Sequence, residues 1–309
     1  MQRIAQRISS IAVNMAQNIQ IPAIPATPRA FQSASFVWGF VLIGSLVVAA
    51  YYHVLAKLVV DWWQIPDFSH GFLVPIFAGY LVWTKREVLR RTKVSPSWSG
   101  VAVVAFGLIV VVLGDYGAEL FLSRISLVIL LAGLVLAFGG WELLKELRFA
   151  LLVLLLAIPI PAIIFNQITL PLQMFASKLA SALLPMFGVP VLREGNVIEL
   201  PSMSLEVAEA CSGIRSLMSL FTLSVFYGYF MEKTFLRRVV LALASVPIAI
   251  AANAVRILGT ALCVQYWDPE KAQGFFHEFS GWVMFLVSLG CLFMVQRAMC
   301  LFPAKRGQA

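Results

Sequence analysis

Charge is scarce in this 309-residue chain: 12% of its residues are Asp, Glu, Lys or Arg, against about 25% in ordinary soluble domains. With 61% hydrophobic residues and a mean hydropathy of +0.89, the polar surface needed to cover a soluble globule is missing. The four cysteines, Cys211, Cys263, Cys291 and Cys300, show no CxxC or finger spacing. That argues against a thioredoxin-like pair and a structural zinc site. The three histidines, His53, His70 and His277, lie too far apart for an HExxH pair, so neither a metal nor another cofactor is expected. Acidic residues are nearly absent from the apolar runs, which leaves intramembrane aspartyl proteolysis without its carboxylates. The net charge of +8 is spread over short basic clusters between apolar runs, as orientation determinants are. No nucleic-acid partner is expected.

What the chain has instead is long apolar runs, and a run of roughly 17 to 25 residues suffices for a spanning helix. The expected fold is an all-α polytopic membrane protein of about eight transmembrane helices, beginning near Phe36, Gly71, Gly100, Ala118, Arg148, Gly213, Arg237 and Gly281. Basic residues mark every second connection: Lys85 to Lys93, Lys145 with Arg148, Lys233 to Arg238, and Arg297 to Arg306. Cytoplasmic loops collect Lys and Arg, so both termini are expected inside. Residues 1–35 form a cytoplasmic lead-in with no signal-peptide pattern, 36–302 the transmembrane domain, and 303–309 a short cytoplasmic tail.

The longest outer stretch carries further pattern. Leu170 to Met186 repeats apolar residues at helical spacing around Gln173, Ser177 and Lys178, bracketed by Pro171 and Pro185. This reads as an amphipathic interfacial helix. Alternation from Val191 to Leu200 and at Leu205 to Val207 reads as a small outer β-hairpin turning at Gly195-Asn196. It leads directly into Glu209-Ala210-Cys211-Ser212-Gly213-Ile214-Arg215.

Chemistry is expected there. Cys211 would sit at the start of a helix, where unpaired N–H groups and the dipole favour an anion. Arg215, four residues on, adds a cation on the same face, and both lower a thiol pKa. A buried, inert cysteine is the ordinary alternative. Arg256 lies within an apolar helix, where an arginine costs roughly 2.5 to 3.5 kcal/mol to insert. It is suited to holding an oxyanion or a carboxylate, with snorkelling or a pair with Glu209 as the plainer outcome. Asn253 precedes it by about a turn. His277, in the outer connection before the last helix, has an ordinary pKa suited to proton transfer. Cysteine and histidine meeting in space are the minimum for thiol acyl transfer. A Cys211 to Cys263 disulfide would consume that thiol. His70, in Asp67-Phe68-Ser69-His70-Gly71, is either a polar cap or part of a substrate mouth. A transporter or flippase for an anionic or lipid-linked substrate is the competing reading, with Pro159, Pro161 and Pro247 as helix breaks and a midplane site as its mark.

At these residues the chain resembles the exosortase/archaeosortase family, membrane cysteine transpeptidases of bacteria and archaea. The resemblance rests on Asp67 to Pro75, on Pro159 through Arg193-Glu194-Gly195-Asn196 to Leu217, on Ala252-Asn253-Ala254-Val255-Arg256-Ile257, and on His277 before Gly281-Trp282. It implies Cys211 as nucleophile forming an acyl-thioester, Arg256 as transition-state stabiliser and His277 as proton donor or base. Arg215, Asn253, Glu209 and His70 would support the site or bind substrate. It further implies an inner-membrane location with the active site facing the periplasm. The implied substrates are PEP-CTERM proteins, carrying a Pro-Glu-Pro motif, an apolar helix and a basic tail. The implied partners beyond them are the lipid bilayer and an acceptor molecule or accessory periplasmic protein, and the implied setting is extracellular polysaccharide export.

Overall fold

The computed structural model describes residues 34–117, 120–207, 213–267 and 275–301, and the chain divides into two compact units between Tyr52 and His53. The first contributes α1 (Ala34–Ala50), a helix without a charged residue. Beyond it come α2 (Tyr52–Gln64), a 3-10 segment Pro66–Phe72, α3 (Leu73–Thr84), α4 (Arg86–Arg91), α5 (Trp98–Tyr116), α6 (Leu120–Gly139) and α7 (Trp141–Leu154). After α8 (Ala162–Leu183), strands β1 (Leu192–Glu194), β2 (Val197–Glu199) and β3 (Ser204–Glu206) precede α9 (Ile214–Met231), α10 (Phe235–Tyr266) and α11 (Phe275–Leu301).

The all-α membrane architecture stands, with a different count of spans. Among the described residues, six stretches are long and apolar enough to cross a bilayer, and a seventh if Val41–Ala50 and Tyr52–Gln64 together form one broken span. Two of the eight expected spans fall short. Helix α3 has 12 residues, about 18 Å at 1.5 Å per residue, against a hydrocarbon core of about 30 Å. Helix α7 has 14 and gives way at Ile158 to the Pro159–Pro161 break. Conversely, the expected interfacial helix is part of a 26-residue stretch, Ala162–Phe187, that itself qualifies. It starts straight after Pro161 and keeps Pro171 inside. Pro247 likewise lies within the continuous 32-residue α10, so it does not interrupt that helix.

Glycine sets the tightest helix pair. Gly100, Gly107 and Gly114 are the buried residues of α5, one heptad apart. A Cβ on Gly100 would overlap the Ala137 backbone of α6, and one on Gly107 would stand 3.1 Å from the Leu130 nitrogen. Small residues allow this backbone approach in apolar surroundings, where dispersion replaces the hydrophobic drive.

The predicted hairpin is present and extends to three antiparallel strands in the order β1-β2-β3. Ile198, Leu200 and Val207 bury against Ala176 and Ala180 of α8 and against Ile257, Ala261 and Val264 of α10. The sheet therefore covers the C-terminal third of α10. A second cluster joins α2, α3, α7 and α9 through Leu58, Trp62, Val74, Val153 and Phe226. Leu220, Leu241 and Leu292 tie α9, α10 and α11 together.

One ion pair among the described residues is buried between α2 and α6. Arg124 of α6, with only 4% of its side chain exposed, is bonded to Asp61 of α2, while Ser123 donates to Asp115 at 2.9 Å. Removing one member of a buried ion pair leaves the other uncompensated, at about 3 to 5 kcal/mol, whereas replacing both with apolar groups costs much less. Asp61→Ala is therefore expected to lower unfolding free energy in detergent by about that amount, and the double variant Asp61→Leu/Arg124→Leu to recover most of it. A chemical-denaturation series on the purified protein checks both.

Candidate active site

The prolines after α7 prepare one wall of the site. Pro161 has no N–H to meet the Ala157 carbonyl, so that acceptor is left for another donor. The Trp62 indole N–H takes it at 2.7 Å, and His70 Nε2 bonds the neighbouring Leu156 carbonyl at 3.2 Å. Gly71 lies so close to the Trp62 ring that a Cβ there would overlap it. The 3-10 segment is thereby held against the end of α7. His70 is buried, and burial lowers its pKa against the smaller upward pulls of the Leu156 and Asp67 backbone. Its Nδ1 has no hydrogen-bond partner among the described residues, so the neutral ring is the form that fits.

From the same segment, Asp67 reaches the first turn of α9. Its Oδ1 accepts a hydrogen bond from Arg215 Nε at 3.2 Å, with the carboxylate 12% and the guanidinium side chain 48% exposed. Helix α9 starts on Gly213, which has φ +78°. Glycine is needed there for the left-handed backbone and also for space, because a Cβ would stand 2.9 Å from Asn253 Cβ and Cγ. Asn253 is buried in α10.

One turn further along α10, Arg256 is half-buried and turns its guanidinium to α11, where a Cβ on Gly281 would lie 3.2 Å from its Cζ. Helix α11 begins at Phe275. His277 is thus in its first turn, not in a connection ahead of the helix as expected, and one turn before Gly281. The reason is the apolar run from Phe275, which continues the helix of the membrane span.

The residues predicted from the sequence fall out as follows. Arg215, Asn253, Arg256 and His70 are described, and they gather at one end of the bundle around the starts of α9 and α11. Cys211 and Glu209 lie outside the described residues, as does any pairing of Glu209 with Arg256. His277 is described in its backbone only. Cys263 is a free thiol packed beside Val264, so it carries no disulfide. Two residues of the site escaped sequence reasoning. Asp67 was noted only as part of a motif, since a carboxylate 148 positions from its partner leaves no local signal. Gly281 was visible as a small residue near a helix start, the usual mark of close approach.

Beside the N-terminal turn of α9, itself favourable to negative charge, this arrangement offers a buried amide and the Arg215 guanidinium paired with Asp67, with the Arg256 guanidinium one turn further along α10 against α11. An oxyanion, a thiolate or a carboxylate is the kind of group such a place stabilises.

Two expectations follow from the geometry. Gly213→Ala forces a non-glycine residue into a left-handed conformation against Asn253, costing about 1 to 3 kcal/mol of stability. Gly259→Ala, on α10 with open space at its Cβ, is neutral or stabilising in the same unfolding measurement. For His70, the folded pKa lies below the unfolded value of about 6.5, so the unfolded state binds the proton first. Stability is then highest above about pH 6.5 and declines as pH falls through the unfolded pKa; His70→Gln flattens this dependence in melts taken from about pH 7.5 to about pH 5.5, the range in which histidine ordinarily titrates.

A family model described as transmembrane exosortase (Exosortase_EpsH) matches residues 62–294. That interval takes in the 3-10 segment, the sheet, Gly213, Arg215, Asn253, Arg256 and Gly281. No curated protein and no solved structure matches the chain. With three quarters of its length covered by that one match, and with the matched interval holding every described residue of the site, the chain belongs to the transmembrane exosortase family.

Proposed function

We propose that this exosortase is a membrane-embedded cysteine transpeptidase that cleaves the C-terminal sorting signal of exported proteins through an acyl-thioester on Cys211. The family supplies the general frame, a transpeptidase of protein sorting in a membrane. The finer reading adds the nucleophile, the substrate and the side. Residues 36–302 act as the catalytic membrane domain, and the site opens to the periplasm across the inner membrane.

In this mechanism the Cys211 thiolate attacks the carbonyl carbon of the scissile peptide bond, and the developing oxyanion is held by the Arg256 guanidinium. Collapse of the tetrahedral intermediate breaks the C–N bond, and His277 gives its proton to the departing amine. The thioester is then resolved by water or by an acceptor nucleophile, whose proton returns to His277. Preorganised donors aimed at the oxyanion are the largest single contribution in such reactions. Asn253, fixed against Gly213, keeps α10 in register with the turn that follows Cys211. The substrate motif, Pro-Glu-Pro ahead of an apolar helix, suits a helix lying along α9 to α11 with its peptide at their ends.

The observation that supports this reading most is the pair of contacts along one stretch of α10. Gly213, two residues after Cys211, meets Asn253, and Gly281, one turn after His277, meets Arg256. Three segments far apart in sequence are joined within two helical turns.

The test is processing of a co-expressed protein carrying the Pro-Glu-Pro tail, at matched membrane levels. Cys211→Ala and His277→Ala are expected to abolish the size shift, Arg256→Gln to slow it by about 10²- to 10³-fold, and Cys263→Ala to leave it unchanged. Normal processing by Cys211→Ala would overturn the nucleophile and turn attention to a transport role for the Arg256 cation.

A further inference from the structure

The first turn of α9 contains an arginine and no acidic residue. That is the wrong sign for a helix start, where a carboxylate is stabilising and a cation is not. Arg215 is nevertheless held in place from a distant part of the chain. Asp67, on a segment anchored by the Trp62 and His70 bonds to the α7 carbonyls, engages it through Nε alone, at 3.2 Å. Neither Nη atom has a hydrogen-bond partner among the described residues, and about half of the side chain is exposed. Guanidinium–carboxylate pairs frequently take a two-bond fork, whereas this contact uses Nε alone. It tethers the inner edge of the group and leaves both Nη atoms for another acceptor.

We infer that Arg215 is a specificity-determining residue that receives a carboxylate of the substrate peptide on its Nη edge, and that Asp67 is the positioning residue that aims it. Resting on the transpeptidase reading above, this names what the site selects: an acidic side chain next to the bond to be cut. The division of labour is physical. Arg256 is half-buried against Gly281, where it meets charge that develops during reaction. Arg215 is the more open cation and meets charge that the substrate already carries. The first affects kcat, and the second affects binding.

The experiment uses the full-length protein in lipid vesicles of neutral phosphatidylcholine and two synthetic peptides, identical except for Pro-Glu-Pro in one and Pro-Gln-Pro in the other. For wild type, the Glu peptide is expected to have a KM roughly 10- to 100-fold lower, the scale of one hydrogen bond to a charged group, with kcat little changed. Arg215→Gln removes that preference, bringing KM for the Glu peptide up to that for the Gln peptide. Arg215→Lys, which keeps the charge without the fork, restores part of it. Asp67→Asn raises KM for the Glu peptide at unchanged kcat, whereas a merely structural loss would lower kcat for both peptides alike.

Equal KM values for the two peptides with wild type overturn the inference, as does a loss in Arg215→Gln that is the same for both, the result expected if the arginine holds a lipid phosphate or only the fold. Failure of the underlying reading looks different: wild type then cleaves neither peptide, or Cys211→Ala cleaves both.

Discussion

The backbone contact of Gly213 with Asn253 is the constraint on which the rest of this end of the bundle depends. It sets the distance and phase of α9 relative to α10, and with it the place of everything that follows Gly213, including Arg215. It also determines how α11 can approach, because Arg256 reaches Gly281 from the next turn of the same helix. In an apolar solvent such fixity has a specific cause. Polar groups that water would satisfy must find partners inside the protein, and each has few geometries in which it can do so. The carbonyls of Leu156 and Ala157 illustrate this, since the proline break that frees them also decides where His70 and Trp62 lie.

Electrostatics divides the molecule into two ends. Near the start of α9 the Arg215 guanidinium is paired with Asp67 through Nε, and near the start of α11 Arg256 lies against Gly281. At the opposite end the charges are closed on themselves: buried Glu232 accepts from Gln296 at 3.1 Å and lies 3.6 Å from Arg237, and Lys85 meets Glu146 at 3.0 Å. A satisfied network holds helices together and offers little to a ligand. At the other end Arg215, with about half of its side chain exposed, is the more open cation.

Much of this was legible in the sequence, and the parts that were not share a cause. The apolar runs of α5, α6, α9 and α10 are long and carry few charges, and single-segment hydropathy reads them well. Helix α3 and helix α7 were misjudged as spans because their ends depend on the 3-10 segment at Pro66 and the break at Pro159, where a few residues change what a run can cover. The strands were readable from alternation, since one face of each meets α8 and α10. Of the site, the residue types and their gathering at one end were legible from topology. The ion pairs were not: Arg124 with Asp61 and Arg215 with Asp67 join residues that no periodicity connects. Pairing across sequence is a property of the packed bundle. The glycine heptad of α5 is the opposite case, a local signal that points directly at a close helix partner.

Helix α10 also acts as a ruler. Its 32 residues make a rod of about 48 Å at 1.5 Å per residue, well beyond a hydrocarbon layer of about 30 Å. From the basic pair Arg237 and Arg238 near its start to Arg256 the axis advances about 27 Å, close to one such layer. With the first cations anchored at one surface, the Arg256 guanidinium would come level with the other, and the ten residues beyond it, which include those packed under the sheet, would extend past that layer. On the proposed function, the bond to be cut would lie where the oil ends, at a depth that the length of one helix prescribes.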